Sequence, residues 1–257
     1  MRRLCWALLG ALVLAQICYP LTGGATRAGW TVLTVVLGCL LSVLHAALTR
    51  GIRALTALVG TATVGGFAVE AVGVATGFPF GSYAYSGQLG PKILGVPLII
   101  PLAWTWMAWP AWLAATRLAR ARWARIGLAA AGLAGWDLFL DPQMVAEGYW
   151  TWLDPAPALR GVPGVPIGNY LGWLGFALAL MTVLSSALGP AGSRPEPGGD
   201  LPIIVLWFWT YASSVLAHAV FLGLPASAAW GGVLMGAVVI PLAVRLATPR
   251  IQVRVAT

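Results

Sequence analysis

The chain has 257 residues, of which 60% are hydrophobic and only 9% are charged, with a formal net charge of +8. A soluble domain has about 25% charged residues. This composition therefore excludes an ordinary soluble protein and predicts a protein that lies in a lipid bilayer. The basic excess is spread between apolar segments, so we do not interpret it as a nucleic-acid-binding surface.

Apolar segments of about 20 residues, the length that spans a bilayer, recur along the whole chain. The connections between them are short, which favours one all-α, polytopic helical bundle and a single integral-membrane domain over residues 1–257. No clean cleavage site follows the first segment, so we interpret it as a retained helix and not as a signal peptide. The eight predicted transmembrane helices cover residues 4–21, 30–48, 54–76, 93–116, 123–140, 167–188, 201–222 and 226–246.

Basic residues alternate between the two sides of the predicted membrane. If the N-terminus is cytoplasmic, 12 of the Lys and Arg residues fall on the cytoplasmic side and 3, Arg27, Lys92 and Arg160, fall on the other. Positive residues are enriched in cytoplasmic loops. The pattern therefore predicts a multi-pass protein of the cell membrane with both termini in the cytoplasm.

Glu70 lies inside the third apolar segment, between Val69 and Ala71. A carboxylate at membrane depth costs at least a few kcal/mol, so an acid there is a candidate functional group. With eight spans, Glu70 lies near the outer end of its helix, about 9 Å below it at 1.5 Å per residue.

Residues 77–91 form an aromatic connection that is too rich in Gly and Pro for a helix. Irregular backbone at membrane depth is tolerated only where it is buried in protein or lines a cavity. We predict a re-entrant or lid loop that offers Phe78, Phe80, Tyr83 and Tyr85 to a substrate. An interfacial aromatic belt is the equally weighted alternative.

Asp137 and Asp141 end the fifth segment and are four residues apart, so they share one helical face. Burial beside a like charge favours one protonated carboxyl, which is what a general acid needs. We predict Asp137 as the proton donor and Glu70 as the group that orients or deprotonates water. Pro142 predicts that the helix ends here, so Asp141 is either a second acid or the N-cap of a short following helix.

The remaining candidates lie on the same predicted side. His218 is interpreted as a fourth catalytic candidate or a hydrogen-bonded core histidine. We interpret several other residues as structural: Glu147 as a solvated helix-end residue, His45 as an interfacial histidine, residues 189–200 as a flexible polar loop, and Trp104, Trp106 and Trp109 as lipid-facing or packing residues. The further substrate-binding candidates are Trp136, Trp150, Trp152, Asn169 and Trp173.

Three sequence segments together resemble one family. They are TGFPFGSYAYSGQLGPKILGVPLIIPLAW at 76–104, DLFLDPQMVAEGYWTW at 137–152 and GVPIGNYLGW at 164–173. With Glu70 they resemble the integral-membrane carotenoid 1,2-hydratases over roughly residues 70–173. The resemblance implies hydration of the terminal C1–C2 double bond of a long-chain acyclic carotenoid, which gives a tertiary alcohol. It also leaves open whether a carotenoid glycosyltransferase partner takes the new hydroxyl.

Acid-catalysed hydration needs a buried carboxylic acid, a second group for water and aromatic faces to stabilise a cation. We predict no cofactor and no metal ligands for this chemistry. One alternative is a membrane prenyltransferase in which the D-x-x-x-D of Asp137 and Asp141 holds Mg²⁺. The other is a proton-coupled transporter with Glu70, Asp137 and His218 as a relay.

Overall fold

The computed structural model describes residues 2–192, 194, 196 and 198–248. The fold is predominantly helical, as the composition predicts. A short 3₁₀ turn follows the first helix, and π-helical turns at Val59–Val64 and Ala217–Phe221 follow the second and seventh. The helices are α1 (Arg2–Cys18), α2 (Gly24–Leu58), α3 (Gly65–Thr76), α4 (Ile100–Leu118), α5 (Arg122–Ala146), α6 (Ile167–Gly192), α7 (Leu201–Leu216) and α8 (Pro225–Ala247).

Long apolar helices make this a membrane protein. Within the described residues, five stretches are long and apolar enough to cross a bilayer: Arg3–Leu21, Gly24–Thr76, Ile167–Pro190, Leu201–Phe221 and Pro225–Ala247. The second of them has 53 residues, and Gly51 breaks it with a φ of 75°, between the second and third predicted spans. A count of eight spans, the re-entrant loop and cytoplasmic termini stay predictions. Arg250 and Arg254, two of the basic residues that we predict to be cytoplasmic, lie outside the described residues.

Helix α4 lies inside the bundle and contacts α2, α5, α7 and α8. Its Trp104, Trp109 and Trp112 side chains are fully buried, and Trp106 is nearly so. A helix that is apolar all round is typically a buried one. The α4 tryptophans are therefore packing residues of the interior and do not face lipid.

Helix α5 continues through Pro142, which corrects the prediction that it ends before that residue. Pro142 has no N–H to donate to the Leu138 carbonyl. The Ser227 hydroxyl of α8 donates to this carbonyl instead, at 2.6 Å. Asp141 is thus an interior residue of a continuous helix, and the N-cap interpretation is wrong.

The connections between helices form short antiparallel strand pairs that the sequence did not predict. Strand β1 (Tyr83–Tyr85) pairs with β4 (Trp150–Trp152), which joins the two long aromatic connections. Side chains alternate across a strand, and Ala84 and Thr151 are the exposed members of this ladder. The other pairs are β2 (Lys92–Ile93) with β3 (Val96–Pro97), and β5 (Ala158–Leu159) with β6 (Val162–Pro166).

A buried ion cluster fastens the end of the bundle opposite Glu70. The fully buried Asp200 carboxylate lies 2.8 Å from Arg50 Nη1 and 2.9 Å from Arg117 Nη2. It also accepts the Glu196 backbone N–H at 2.9 Å. These contacts join the break in α2, the end of α4 and the start of α7, so the described residues of the 189–200 connection are tied to the bundle.

His45 belongs to the same end and is buried, so its interpretation as an interfacial histidine is wrong. Trp109 Nε1 donates to His45 Nδ1 at 3.0 Å, and Nε2 lies 3.0 Å from the Gly199 carbonyl. Because Nδ1 accepts a hydrogen bond, Nε2 carries the proton and donates to Gly199. The ring is thus fixed in one neutral tautomer.

Asp200→Ala is expected to lower the free energy of unfolding by about 3–5 kcal/mol, because it leaves two arginines at a buried site without their anion. The measurement is thermal unfolding of purified protein in detergent. Glu196→Ala, which removes an exposed acid from the same connection, is the matched control. Equal unfolding temperatures for Asp200→Ala and the wild type would contradict the structural role of the cluster.

Candidate functional site

Most of the site residues that we predict from the sequence line one cavity. It lies between α2, α3, α4, α5, α6 and the β1–β4 ladder, and about 40 Å³ of it is open to water. We call it the acid cavity. The predicted site residues that line it are Glu70, Phe80, Tyr83, Tyr85, Asp141, Trp150, Trp152, Asn169 and Trp173.

Glu70 is buried and accepts three hydrogen bonds. Tyr83 and Tyr85 donate their hydroxyls to Oε2 at 2.6 and 2.8 Å, and Trp104 Nε1 donates to Oε1 at 3.0 Å. Burial and the neighbouring Glu70 raise the pKa of both phenols, so they stay protonated donors. Hydrogen bonds to a carboxylate favour its ionised form. Glu70 is therefore arranged as a fixed acceptor.

Gly73, one turn after Glu70 on α3, allows Tyr83 to approach Glu70. A Cβ at this position would lie 2.7 Å from the Tyr83 hydroxyl and 3.0 Å from the Phe80 ring. Real Cβ atoms essentially never come that close to another atom. The absence of a side chain at position 73 thus permits the Glu70–Tyr83 hydrogen bond.

The two aspartates of α5 form a buried pair bridged by Asn169 of α6. Asn169 Nδ2 donates to Asp137 Oδ2 at 2.9 Å and also donates to Asp141 Oδ2. Trp150 Nε1 donates to Asp141 Oδ1 at 3.1 Å. Asp141 lines the acid cavity, whereas Asp137 lies behind it and is fully buried.

The close placement of the two aspartates favours a bound proton. Asn169 Nδ2 donates to both Asp137 and Asp141, so the two carboxyl groups lie side by side, and two neighbouring carboxyls in a buried site favour protonation of one of them. Among the described residues that line the cavity there is no Lys or Arg. Since an unpaired buried carboxylate is costly, we expect the aspartate pair to share one proton opposite Glu70.

Aromatic rings form the wall of the cavity. Trp104 and Trp173 stack with centroids 3.8 Å apart, and Tyr85 meets Trp150 edge to face at 5.4 Å. Tyr83 lies 5.5 Å from Trp152 across the strand ladder. Such π-faces can stabilise a developing cation. The pocket-wall interpretation therefore describes these aromatic residues better than the interfacial belt does.

Besides Asp137, three predicted site residues do not line the cavity. The Phe78 side chain is 74% exposed and does not line the cavity. Trp136 lies behind the wall, edge to face with Trp173 at 6.3 Å. The ring nitrogens of His218 lie 2.8 Å from the Ser214 carbonyl and 3.0 Å from the Phe139 carbonyl, which is the arrangement of a core histidine.

Trp104 is the main residue that the sequence interpretation missed. The sequence predicts it as a lipid-facing or packing residue, yet its indole nitrogen donates a hydrogen bond to Glu70. The signal was its place at the end of the first family-like segment. Helix α2 was also missed, because Thr31 and Val35 line the cavity without any chemical signature. Glu147, which the sequence predicts as solvated, forms a partly buried ion pair with Arg27.

Comparison with known proteins identifies the family. The family described as carotenoid biosynthesis protein matches residues 30–238, which is most of the chain. This protein belongs to that family. The match includes both sides of the acid cavity, from α2 to α8, so the resemblance predicted from the three segments is confirmed at family level.

A curated relative of this chain is the bisanhydrobacterioruberin hydratase of Haloarcula japonica. It is 38% identical over 117 residues, a stretch that covers 44% of this chain. The chain spans only 38% of that relative's length. No solved structure matches this one.

Proposed function

We propose that this protein adds water across the terminal C1–C2 double bond of an acyclic carotenoid end. The observation that carries the proposal is the acid cavity, which combines an aspartate pair bridged by Asn169 with a glutamate that accepts hydrogen bonds from three donors. Family membership and the name of the Haloarcula relative support it.

The first step is protonation of the alkene. Asp141 lines the cavity, so we propose that it delivers the proton, with Asp137 and Asn169 behind it holding the shared proton in place. The C1–C2 π electrons form a new C–H bond at C2 and leave a tertiary cation at C1. Trp173, Tyr85 and the other rings of the wall lie where they can stabilise that cation.

The second step is capture by water. A lone pair of the water oxygen forms the C1–O bond, and Glu70 accepts the proton that the water loses. Return of this proton from Glu70 to the aspartate pair restores the starting state. The balance is one alkene plus one water to one tertiary alcohol, with no change of oxidation state overall. The predicted donor, Asp137, and the proposed donor, Asp141, are distinguished by the mutations below.

The two alternatives find less support. A prenyltransferase must neutralise a diphosphate, and the described lining of the acid cavity carries no cationic side chain. A proton relay would need His218 to contact the acids, whereas it contacts backbone carbonyls outside the cavity. A carotenoid glycosyltransferase that uses the new hydroxyl remains a proposed partner.

Expression in a bacterium that makes lycopene tests the proposal. Pigments heavier by one or two waters are expected, and they should form without oxygen and without added metal or nucleotide. Liquid chromatography with mass spectrometry measures them. Unchanged pigments, at normal protein levels in the membrane, would contradict the proposal.

A further inference from the structure

A second chamber adjoins the acid cavity across α2 and α5. About 100 Å³ of it is open to water. Four side chains line both spaces: Thr31 and Val35 of α2, and Leu140 and Met144 of α5. Each pair is four residues apart and so lies on one helical face. The two spaces are thus separated by a wall one side chain thick, next to Asp141.

The second chamber has both polar and apolar lining residues. Helices α1, α2, α4, α5 and α7 contribute to it, and its polar members apart from Tyr19 are Gln16, Thr31, Thr34, Gln143, Ser213 and Ser214. Nothing in the reaction proposed above uses these residues. So many polar side chains around one internal space are unusual in a bundle that is otherwise apolar.

Three buried polar atoms of residues that line this chamber have no hydrogen-bond partner in the described protein. They are the Tyr19 hydroxyl, the Thr34 hydroxyl and the Trp106 indole nitrogen. All three residues are more than nine-tenths buried. A buried polar group without a hydrogen-bond partner costs free energy. We therefore expect a polar occupant of the chamber that hydrogen-bonds to these atoms.

Water fits this space. A cavity needs roughly 10–15 Å³ of water-accessible volume for each water molecule, and each water needs two to four polar partners. The chamber has room for several water molecules and has polar partners from four helices. A carotenoid end would leave Thr34 and Trp106 unpaired, so the polar lining disfavours hydrocarbon as the occupant.

We propose that the second chamber holds the water that hydration consumes and delivers it past Val35 and Leu140 into the acid cavity. This inference rests on the proposed function, since it assigns a source to the attacking water. It separates the routes of the two substrates. The hydrocarbon meets the aromatic wall, while water arrives from the α2–α5 side.

Thr34→Val removes the hydroxyl and nearly conserves the volume of the side chain. Hydration should slow by about three- to tenfold, the effect of losing one hydrogen bond in the water network. Thr34→Ser keeps a hydroxyl and should stay close to the wild-type rate. Thr210→Val is the matched control, because the Thr210 hydroxyl is also buried and unpartnered but lies outside both spaces.

Hydroxyl-radical labelling in H₂¹⁸O, read by mass spectrometry, gives a readout that does not depend on activity. Tyr19 and Met144 line the chamber and should acquire label in the wild type and less in Thr34→Val. Exposed Trp123 should be labelled equally in both. Unlabelled chamber residues in the wild type would overturn the proposal.

The kinetic outcomes are equally decisive. A Thr34→Val variant at the wild-type rate, or a Thr210→Val variant that is equally slow, would contradict a specific role for the chamber. If the wild type hydrates no carotenoid, the proposed function fails, and the labelling alone decides whether the chamber holds water.

Discussion

Asp141→Asn is expected to lower the rate of hydration by a factor of about 10² to 10⁴, the usual contribution of a general acid. Asn conserves size and still accepts the hydrogen bond from Trp150, but it has no proton to give. The protein should reach the membrane at normal levels. The measurement is the yield of hydrated pigment per amount of enzyme in cells that make an acyclic carotene.

The controls for this variant separate chemistry from folding. Asp154→Asn changes an exposed aspartate in a connection and should leave activity unchanged. Asp137→Asn keeps a carboxyl in the cavity and should lose less activity than Asp141→Asn. If Asp137→Asn is the more damaging variant, the proton comes from Asp137, as the sequence alone predicted. If both variants retain activity, the aspartate pair is not the acid.

Glu70→Gln should also cost a factor of about 10² to 10⁴, because the amide cannot take the proton that water loses. Its carbonyl oxygen can still accept a hydrogen bond from the surrounding donors, so the local packing is nearly conserved. Membrane extracts assayed for hydration of an acyclic carotene provide the measurement. Glu196→Gln, at the far end of the bundle, is the matched control. A Glu70→Gln variant with wild-type activity would remove the proposed base from the mechanism.

The sequence revealed the acids because of where they lie. Glu70, Asp137 and Asp141 stand in apolar segments, and a charge at that depth is too costly to be incidental. Helical spacing then placed Asp137 and Asp141 on one face, the predicted topology placed Asn169 at the same level, and the motif resemblance added Trp173. The residues that follow from the free-energy cost of burying a charge and from helical periodicity could therefore be predicted from the sequence.

Other parts depend on contacts between distant segments, which periodicity does not encode. The β1–β4 pairing orders Tyr83, Tyr85, Trp150 and Trp152 on one face, yet its strands have only three residues each. The sequence interpretation took Pro142 as a helix end because it could not anticipate that Ser227, from another helix, satisfies the freed carbonyl.

Trp104 also has a role that its amino-acid type does not indicate. Tryptophan in an apolar helix is usually a packing or interfacial residue, and apart from its place at the end of the first family-like segment nothing in the sequence distinguishes it from Trp106 or Trp109. Its function follows only from its distance of 3.0 Å to a glutamate 34 residues earlier in the chain. His218 shows the reverse case, since a histidine that looked catalytic is held by backbone carbonyls.

The origin of the product oxygen tests the central proposal most directly. Cells that make an acyclic carotene and this protein are grown in H₂¹⁸O under ordinary oxygen, and in parallel in ordinary water under ¹⁸O₂. Acid-catalysed hydration predicts that the new hydroxyl carries the label from water and none from molecular oxygen. Label that comes only from ¹⁸O₂ would show a hydroxylase and contradict the mechanism proposed for Glu70 and the aspartate pair.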